Sequence, residues 1–370
     1  MTTTEPKYDH LVTKKQVIVT CGTGGVGKTT IAASTAIAAA KAGRRAVVIT
    51  IDPAKRLADT LGIDQLGNTP TIIEGPWPGT LGAMMLNSKA TFDHVVEQHA
   101  TTQDQLEQIL NNRFYINVSS ELPGTQDYMA TEKLYQLHTC GQWDLVVVDT
   151  PPTRDALAFL EAPKVLTRLL NNTIYKMLVS PRPLVLRTVS RAAGLVVRRL
   201  SRVVGAEVVD DAIEFFQTFQ GMEEGFKQRS AAALTLLTSE DSAFVLVASP
   251  RSDTIAEARY FLSRLDEASL TVAGVVVNRV LAALSASAAD AADISRHLQD
   301  TPLAAAAQAL TDHVKAAAGD DNRIEQLMVY APNATLIKIP LMATDVHDLT
   351  KLSHLAELLT SNSPEETTDT

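Results

Sequence analysis

Residues 22–29 read Gly22-Thr23-Gly24-Gly25-Val26-Gly27-Lys28-Thr29, the G-x-x-x-x-G-K-[ST] spacing of a loop that wraps a chain of phosphates. The apolar run Val17-Ile18-Val19 precedes it, and an alanine-rich stretch from Ile31 follows it and stops at Gly43. Strand, glycine loop and helix are expected in that order. The helix then begins inside the loop and turns its positive end toward the ligand, while the glycines let successive backbone N–H groups point inward at phosphate oxygens. Lys28 is expected to reach the β- and γ-phosphates, and the Thr29 hydroxyl to ligate Mg²⁺. The chain is thus expected to bind a nucleoside triphosphate.

The rest of the sequence has the rhythm such a loop requires. Strand-like apolar runs recur at 17–19, 46–51, 81–86, 144–148, 243–248, 273–277 and 336–339, with helical stretches between them. This predicts an α/β fold with a mostly parallel twisted sheet, helices on both faces and ligands beyond the carboxyl ends of the strands. The Pro/Gly-rich stretch 68–79, with Trp77, reads as a surface loop, and 88–139 as two polar helices broken around Pro123-Gly124. Residues 282–318, rich in Ala, read as close-packed surface helices, and 360–370 as a disordered tail. No internal duplication is evident, so one phosphate loop is expected per chain.

The middle of the chain departs from this rhythm. From residue 163 to 206 there is no acidic residue, while nine Lys or Arg are interleaved with Leu, Val and Ile. Within it, 184–204 has the composition of a basic amphipathic helix, with Arg187, Arg191, Arg198, Arg199 and Arg202. Such a helix either packs on a neighbour with its basic face in solvent or binds an apolar client segment, an anionic membrane or nucleic acid. The division expected is an N-terminal extension at 1–15, a first part of the nucleotide-binding core at 16–160, an all-helical subdomain at 161–240, a second part of the core at 241–359 and a tail at 360–370.

A net charge of −9 argues against a nucleic-acid-coating protein. The two cysteines, Cys21 and Cys140, form no C-x-x-C pair, so neither a disulfide scaffold nor a zinc knuckle is expected. The first fifteen residues are polar and charged and no apolar run is long enough to span a bilayer, which predicts a cytoplasmic protein.

Three polar residues stand at strand ends. Asp52, in Ile51-Asp52-Pro53-Ala54-Lys55, is positioned to orient or deprotonate an attacking water, or else initiates a turn before proline. Asp149 follows Leu145-Val146-Val147-Val148, where phosphate-loop NTPases hold the Mg²⁺ shell. Asn278 follows Val275-Val276-Val277 and offers its amide to a base edge or to an Asx turn. With Arg279 after it, it brings no carboxylate suited to guanine.

Gly22 to Thr29, Ile51-Asp52-Pro53-Ala54-Lys55, Asp149-Thr150-Pro151-Pro152-Thr153, Val277-Asn278 and Ile339-Pro340-Leu341, in this order and spacing, resemble the arsenical-pump-driving and tail-anchored-protein-targeting ATPases, nearest to their actinobacterial single-unit members. The resemblance extends over nearly the whole chain. It implies ATP as the nucleotide and a dimer that closes around it, either a homodimer or a heterodimer with a paralogous ATPase. It implies Asp52 as the water-activating group with Lys28 as its catalytic cation, Thr30 near the α-phosphate, and Asn278, Arg279, Pro340 and Leu341 around adenine. Thr29, Asp52 and Asp149 become the expected metal shell, and the residues after Asp149 a switch coupled to a helical, hydrophobic client groove.

The sequence also departs from that family. A second phosphate-loop lysine, usual in its members, is replaced by Thr23. Thr153-Arg154-Asp155 stands where Thr-Gly-His is usual, and Arg251 where targeting members carry a glutamate at the dimer interface. Neither the arsenite-binding cysteines nor the zinc-binding pair has a match, so no arsenite or zinc site and no specific nucleic-acid partner are expected. The functional expectation is a Mg²⁺-dependent ATPase that opens and closes a helical, apolar and basic surface toward a client or membrane-associated partner. Two alternatives are a nucleotide-sensing regulatory subunit with little or no hydrolysis and a positioning ATPase of the Min or Par kind.

Overall fold

The computed structural model describes residues 8–52, 54, 56–121, 125–151, 162, 168, 205–268 and 270–361. The basic segment 163–206 and the tail 360–370 lie almost wholly outside the described residues, as do Thr153, Arg154 and Asp155.

Eight strands form one sheet in the order β3-β4-β2-β5-β1-β6-β7-β8. These are β1 Val17–Gly22, β2 Arg45–Thr50, β3 Thr71–Ile73, β4 Thr80–Met85, β5 Leu145–Asp149, β6 Ser242–Ala248, β7 Val272–Val280 and β8 Thr335–Pro340. Every pairing is parallel except that of β3 with β4. The seven apolar runs of the sequence are the seven parallel strands. The eighth, β3, lies inside the stretch expected to be a loop, because a three-residue edge strand with only Ile73 buried leaves almost no apolar pattern.

β1 is flanked by β5 and β6, and all six of its residues are buried. The helix that follows the phosphate loop, α2 (Lys28–Lys41), has eleven buried residues of its fourteen. Small alanine side chains let it lie close on the sheet with its far side covered by the helix Leu349–Thr360, so it is apolar nearly all round rather than amphipathic. The N-terminal extension holds a helix. Residues 8–14 form helix α1 (Tyr8–Lys14), whose Tyr8, Leu11 and Val12 join the main core. Their i, i+3, i+4 spacing is the helical signal that the polar flanks obscure.

Contacts divide the chain into a sheet unit, Met1–Met85 with Gly141–Ala156 and Thr238–Thr370, and a helical unit, Leu86–Cys140 with Leu157–Leu237. This differs from the division at 160 and 240 expected from sequence, because residues 86–140 join the helical unit instead of the first part of the core. The reason is local. The two helices expected there are four, Ser88–His99, Gln103–Asn111, Arg113–Glu121 and Thr125–Thr139, and they carry the aromatic residues of a separate core. Asn87 and Thr102 start the first two by accepting from the backbone N–H groups of Ala90 and Gln105. In that core Phe92, Tyr115, Tyr128, Phe215, Phe219 and Phe226 stack and meet edge to face.

Among the described residues the same unit buries one carboxylate. The Glu132 side chain is 1% exposed, its Oε1 accepts from Arg229 Nε at 2.8 Å and from the Arg229 Nη2, and its Oε2 has no hydrogen-bond partner. Arg229→Ala is expected to destabilise the helical unit by about 2 kcal/mol by leaving that charge uncompensated, less than a fully buried pair because the guanidinium is partly solvated. Adding Glu132→Gln is expected to restore most of the loss, as read by chemical denaturation.

Candidate functional site

Every site residue expected from the sequence lies at the carboxyl ends of the strands. β1 ends in Gly22, whose φ of +145° and close approach to β6 both require glycine: a Cβ there would sit 2.1 Å from the carbonyl oxygen of Val247. The loop then exposes Gly24 and Gly25, buries Val26, and enters α2 through Gly27 at φ +97°. A Cβ on Gly27 would meet Asn278 Nδ2 at 2.4 Å, so the glycine also makes room for that amide. Lys28 is buried, and its Nζ donates to the Thr23 carbonyl at 2.8 Å. Thr23 is buried too, with its hydroxyl unpartnered.

Register brings the acidic residues into place. Asp149 ends β5 opposite Thr20 of β1 and Thr50 of β2, so both neighbouring strands turn a threonine toward its level. Its Oδ2 accepts from Thr29 Oγ1 at 2.8 Å and from Thr50 Oγ1 at 2.9 Å, while Oδ1 is buried without a partner. Burial pushes its carboxyl up to about 6, against the pull of the two hydroxyls and of the Lys28 charge. Burial likewise holds the Lys28 ammonium below its ordinary range, opposed chiefly by Asp149. Each charge is thus costly where it sits, and the orphaned Oδ1 beside the Thr29 hydroxyl is an oxygen donor set of the kind a hard divalent cation takes.

Asp52 lies on the next strand end. Its backbone N–H donates to Thr50 Oγ1 at 3.3 Å, Oδ1 accepts from the Ala54 N–H at 3.0 Å, and Oδ2 is 3.5 Å from the Arg56 guanidinium. Asp52, Lys28, Thr29, Thr30 and Thr150 line one cleft of about 630 Å³ with Arg56. Gly27, Thr30, Asn278, Arg279, Pro340 and Leu341 line a neighbouring cleft of about 290 Å³. The two share Gly27, Thr30 and Arg279, so a phosphate-bearing ligand in the first has a path into the second.

Asn278 already holds the loop: its Nδ2 donates to the Val26 carbonyl at 2.9 Å and its Oδ1 accepts from the Arg279 N–H at 2.9 Å. The second amide hydrogen is left for a ligand. Asn278→Ala is expected to weaken ATP binding about tenfold through loss of this brace and contact, measurable by calorimetric titration. Arg279 alone among the described non-glycine residues has positive φ, +64°, and its Nη1 donates to the Gly25 carbonyl at 3.2 Å. Pro340 closes β8, and the Leu341 N–H donates to the Val280 carbonyl at 2.8 Å. Arg251, exposed and paired with Asp253, lines a further cleft of about 510 Å³ with Gly24, Gly25, Val26 and Arg279.

Sequence reading missed Arg56 and the threonines. Thr20 and Thr50, both at strand ends level with Asp149, carry a signal that a register argument recovers. Arg56 carries none, since only the folded structure sets its guanidinium 3.5 Å from Asp52. Among the described residues no helix is long and apolar enough to cross a membrane.

The chain matches the family model of the anion-transporting ATPases over residues 15–361. It is 23% identical over 358 residues to the ATPase GET3 of Malassezia globosa, covering 96% of this chain and 94% of that one. It is 32% identical over 157 residues to the ATPase ASNA1 homolog 1 of Paramecium tetraurelia, covering 41% of this chain and 45% of that one. A match of that extent, on a chain with a phosphate loop and two acidic strand ends, is not a matter of one motif: the chain belongs to the anion-transporting ATPase family and is an ATPase.

Proposed function

We propose that this chain is a Mg²⁺-dependent ATPase that dimerises around nucleotide and couples hydrolysis to opening and closing of a helical surface for an apolar client. The observation that carries the reading is Asp149, with Thr29 and Thr50 on one oxygen and nothing on the other, beside Lys28 and Asp52. Thr29, Asp149 and Asp52 would hold Mg²⁺, which when bound neutralises charge on the β- and γ-phosphates. Lys28, freed from the Thr23 carbonyl, turns its ammonium to the same phosphates. Asp52 orients a water and accepts its proton as the water oxygen bonds to the γ-phosphorus. The bond from that phosphorus to the β–γ bridging oxygen breaks, and ADP leaves with the electron pair.

Dimerisation is supported by the exposure of Gly24 and Gly25, which leaves one side of the phosphate cleft to be closed by another surface. A client surface is supported by the acid-free, apolar and basic sequence of 163–206 within the helical unit. Because Thr23 removes a lysine, a partner that retains one would give a dimer with two unequal sites. Steady-state hydrolysis with and without Mg²⁺, with mass followed by light scattering, tests the reading. Mg²⁺-dependent turnover with ATP-driven doubling of mass supports it, and a chain that stays monomeric with saturating ATP overturns the dimer. Thr23, buried and unpartnered, favours a second reading, a weakly hydrolysing nucleotide-sensing subunit. That reading expects tight ATP binding with turnover that Thr23→Lys raises.

A further inference from the structure

The phosphate loop has no cation at position 23, and the lining of the cleft has one to give at Arg56. Thr23 is 4% exposed with its hydroxyl unpartnered, so no cation leaves the loop at that point. Helix α3 (Arg56–Leu61) opens on an arginine whose side chain is 57% exposed. Its guanidinium approaches Asp52 Oδ2 at 3.5 Å, one turn back along the chain, and it lines the same cleft as Lys28, Thr29 and Thr30. The electrostatics agree with that placement, since the Arg56 charge adds to burial in holding the Lys28 ammonium down: two cations face one space.

Arg279 also lines this cleft, but its guanidinium is engaged with the phosphate loop. Its guanidinium is on the Gly25 carbonyl and its backbone is held at φ +64°, on the side shared with Asn278 and Pro340. Among the described residues Arg56 is held by one ion pair, at 3.5 Å, with a group that must turn toward water for hydrolysis. An ion pair at that distance with its guanidinium largely in solvent is weak, so a ligand of greater charge can take the arginine from it. A guanidinium is also the side chain whose planar fork fits phosphoryl oxygens best.

Resting on the reading of an Asp52-dependent hydrolysis, we propose that Arg56 moves from Asp52 onto the γ-phosphoryl group and supplies within one chain the transition-state charge that Thr23 cannot. Arg56 then has two positions. Paired with Asp52 it occupies the water-activating carboxylate, and paired with phosphate it releases that carboxylate to the attacking water.

The test uses the full chain with Arg56→Ala, Arg56→Lys and Arg56→Ala/Thr23→Lys. Arg56→Ala is expected to lower kcat at least 100-fold while the Kd for ATP changes less than about threefold, with Arg56→Lys intermediate because the charge stays and the fork is lost. The double variant is expected to regain at least tenfold, the loop lysine replacing the lost charge. A second readout needs no turnover: Mg²⁺, ADP and aluminium fluoride form a mimic of the transferred phosphoryl group, and Arg56→Ala is expected to bind it at least 100-fold more weakly with ADP affinity unchanged. Retention of kcat and of aluminium fluoride affinity within threefold overturns the proposal, as does an equal loss of ADP binding. Wild-type turnover indifferent to Asp52→Asn overturns the hydrolysis reading instead, and the aluminium fluoride comparison still decides Arg56.

Discussion

Asp52→Asn is expected to leave ATP bound and to lower its hydrolysis at least 1,000-fold. The substitution is close to isosteric, and the position is buried and tied to the backbone. The Ala54 N–H donates to one side-chain oxygen and the Asp52 N–H to Thr50 Oγ1, and an asparagine keeps an acceptor for the first and does not touch the second. Fold and cleft are thus preserved. What is lost is the negative charge and the lone pair that take the proton of water, an effect of roughly 10²–10⁴-fold where a general base is removed. Loss of the Arg56 partner pulls the other way on binding, since a freed guanidinium favours phosphate, so ATP affinity is expected to hold or rise slightly. Single-turnover hydrolysis with separate measurement of Kd distinguishes these effects. Turnover within tenfold of wild type would remove Asp52 from the chemistry and leave the turn-forming reading of an aspartate before proline.

Asp149→Asn is expected to abolish the response to Mg²⁺ and to flatten the pH dependence of metal-free stability. The folded-state carboxyl is raised to about 6 from an ordinary value of 3.8, chiefly by burial. A raised folded pKa means that folding favours the protonated form. The stability from this group is therefore complete below about pH 4 and is lost as pH rises through 6. The shift of about two units corresponds to roughly 3 kcal/mol between pH 4 and pH 7, an order-of-magnitude figure for a buried group. Mg²⁺ at neutral pH is expected to recover it, and its apparent affinity to fall about tenfold per unit below pH 6 as protons compete for the carboxylate. The variant cannot titrate, so thermal midpoints with and without Mg²⁺ from pH 4.5 to 8 are expected to show neither the decline nor the recovery, and kcat is expected to fall at least 100-fold. The same decline in wild type and variant would assign it to other groups.

The parallel sheet and the glycine loop after β1 were legible in the sequence, and the reason is physical. A phosphate loop is a local device: the stretch from Gly22 to Thr29 owes its shape to backbone conformation and spacing within eight residues. Asp52 and Asp149 stand at the ends of apolar runs, a position that a parallel sheet fixes. What sequence did not disclose depends on residues far apart. Glu132 lies in the stretch read as polar helices, and the Arg229 that closes on it comes 97 residues later. Asn278 reads as a base-edge contact, yet it also braces Val26, 252 residues away. Residues 86–140 look like polar helices of the core because their aromatic partners, Phe215, Phe219 and Phe226, come only after the basic segment. The strand β3 escaped because three residues at a sheet edge carry too little pattern to be read.

The position of β1 has a consequence for how the chain is made. β1 is synthesised before both of its neighbours, and β5 follows at residues 145–149. Its other neighbour, β6, arrives 225 residues after it, the register placing Val17 beside Ser242. On a ribosome the half-sheet β4-β2-β5-β1 can form once residue 149 has emerged, with one flank of β1 bare while residues 150–241 follow. Gly22 fits against Val247 only when that late strand docks, so the phosphate loop takes its final shape near the end of synthesis. Long-range pairing of this kind slows folding and exposes an apolar strand edge to aggregation. Nucleotide binding in a growing chain would accordingly mark the moment at which the two halves of the sheet have joined.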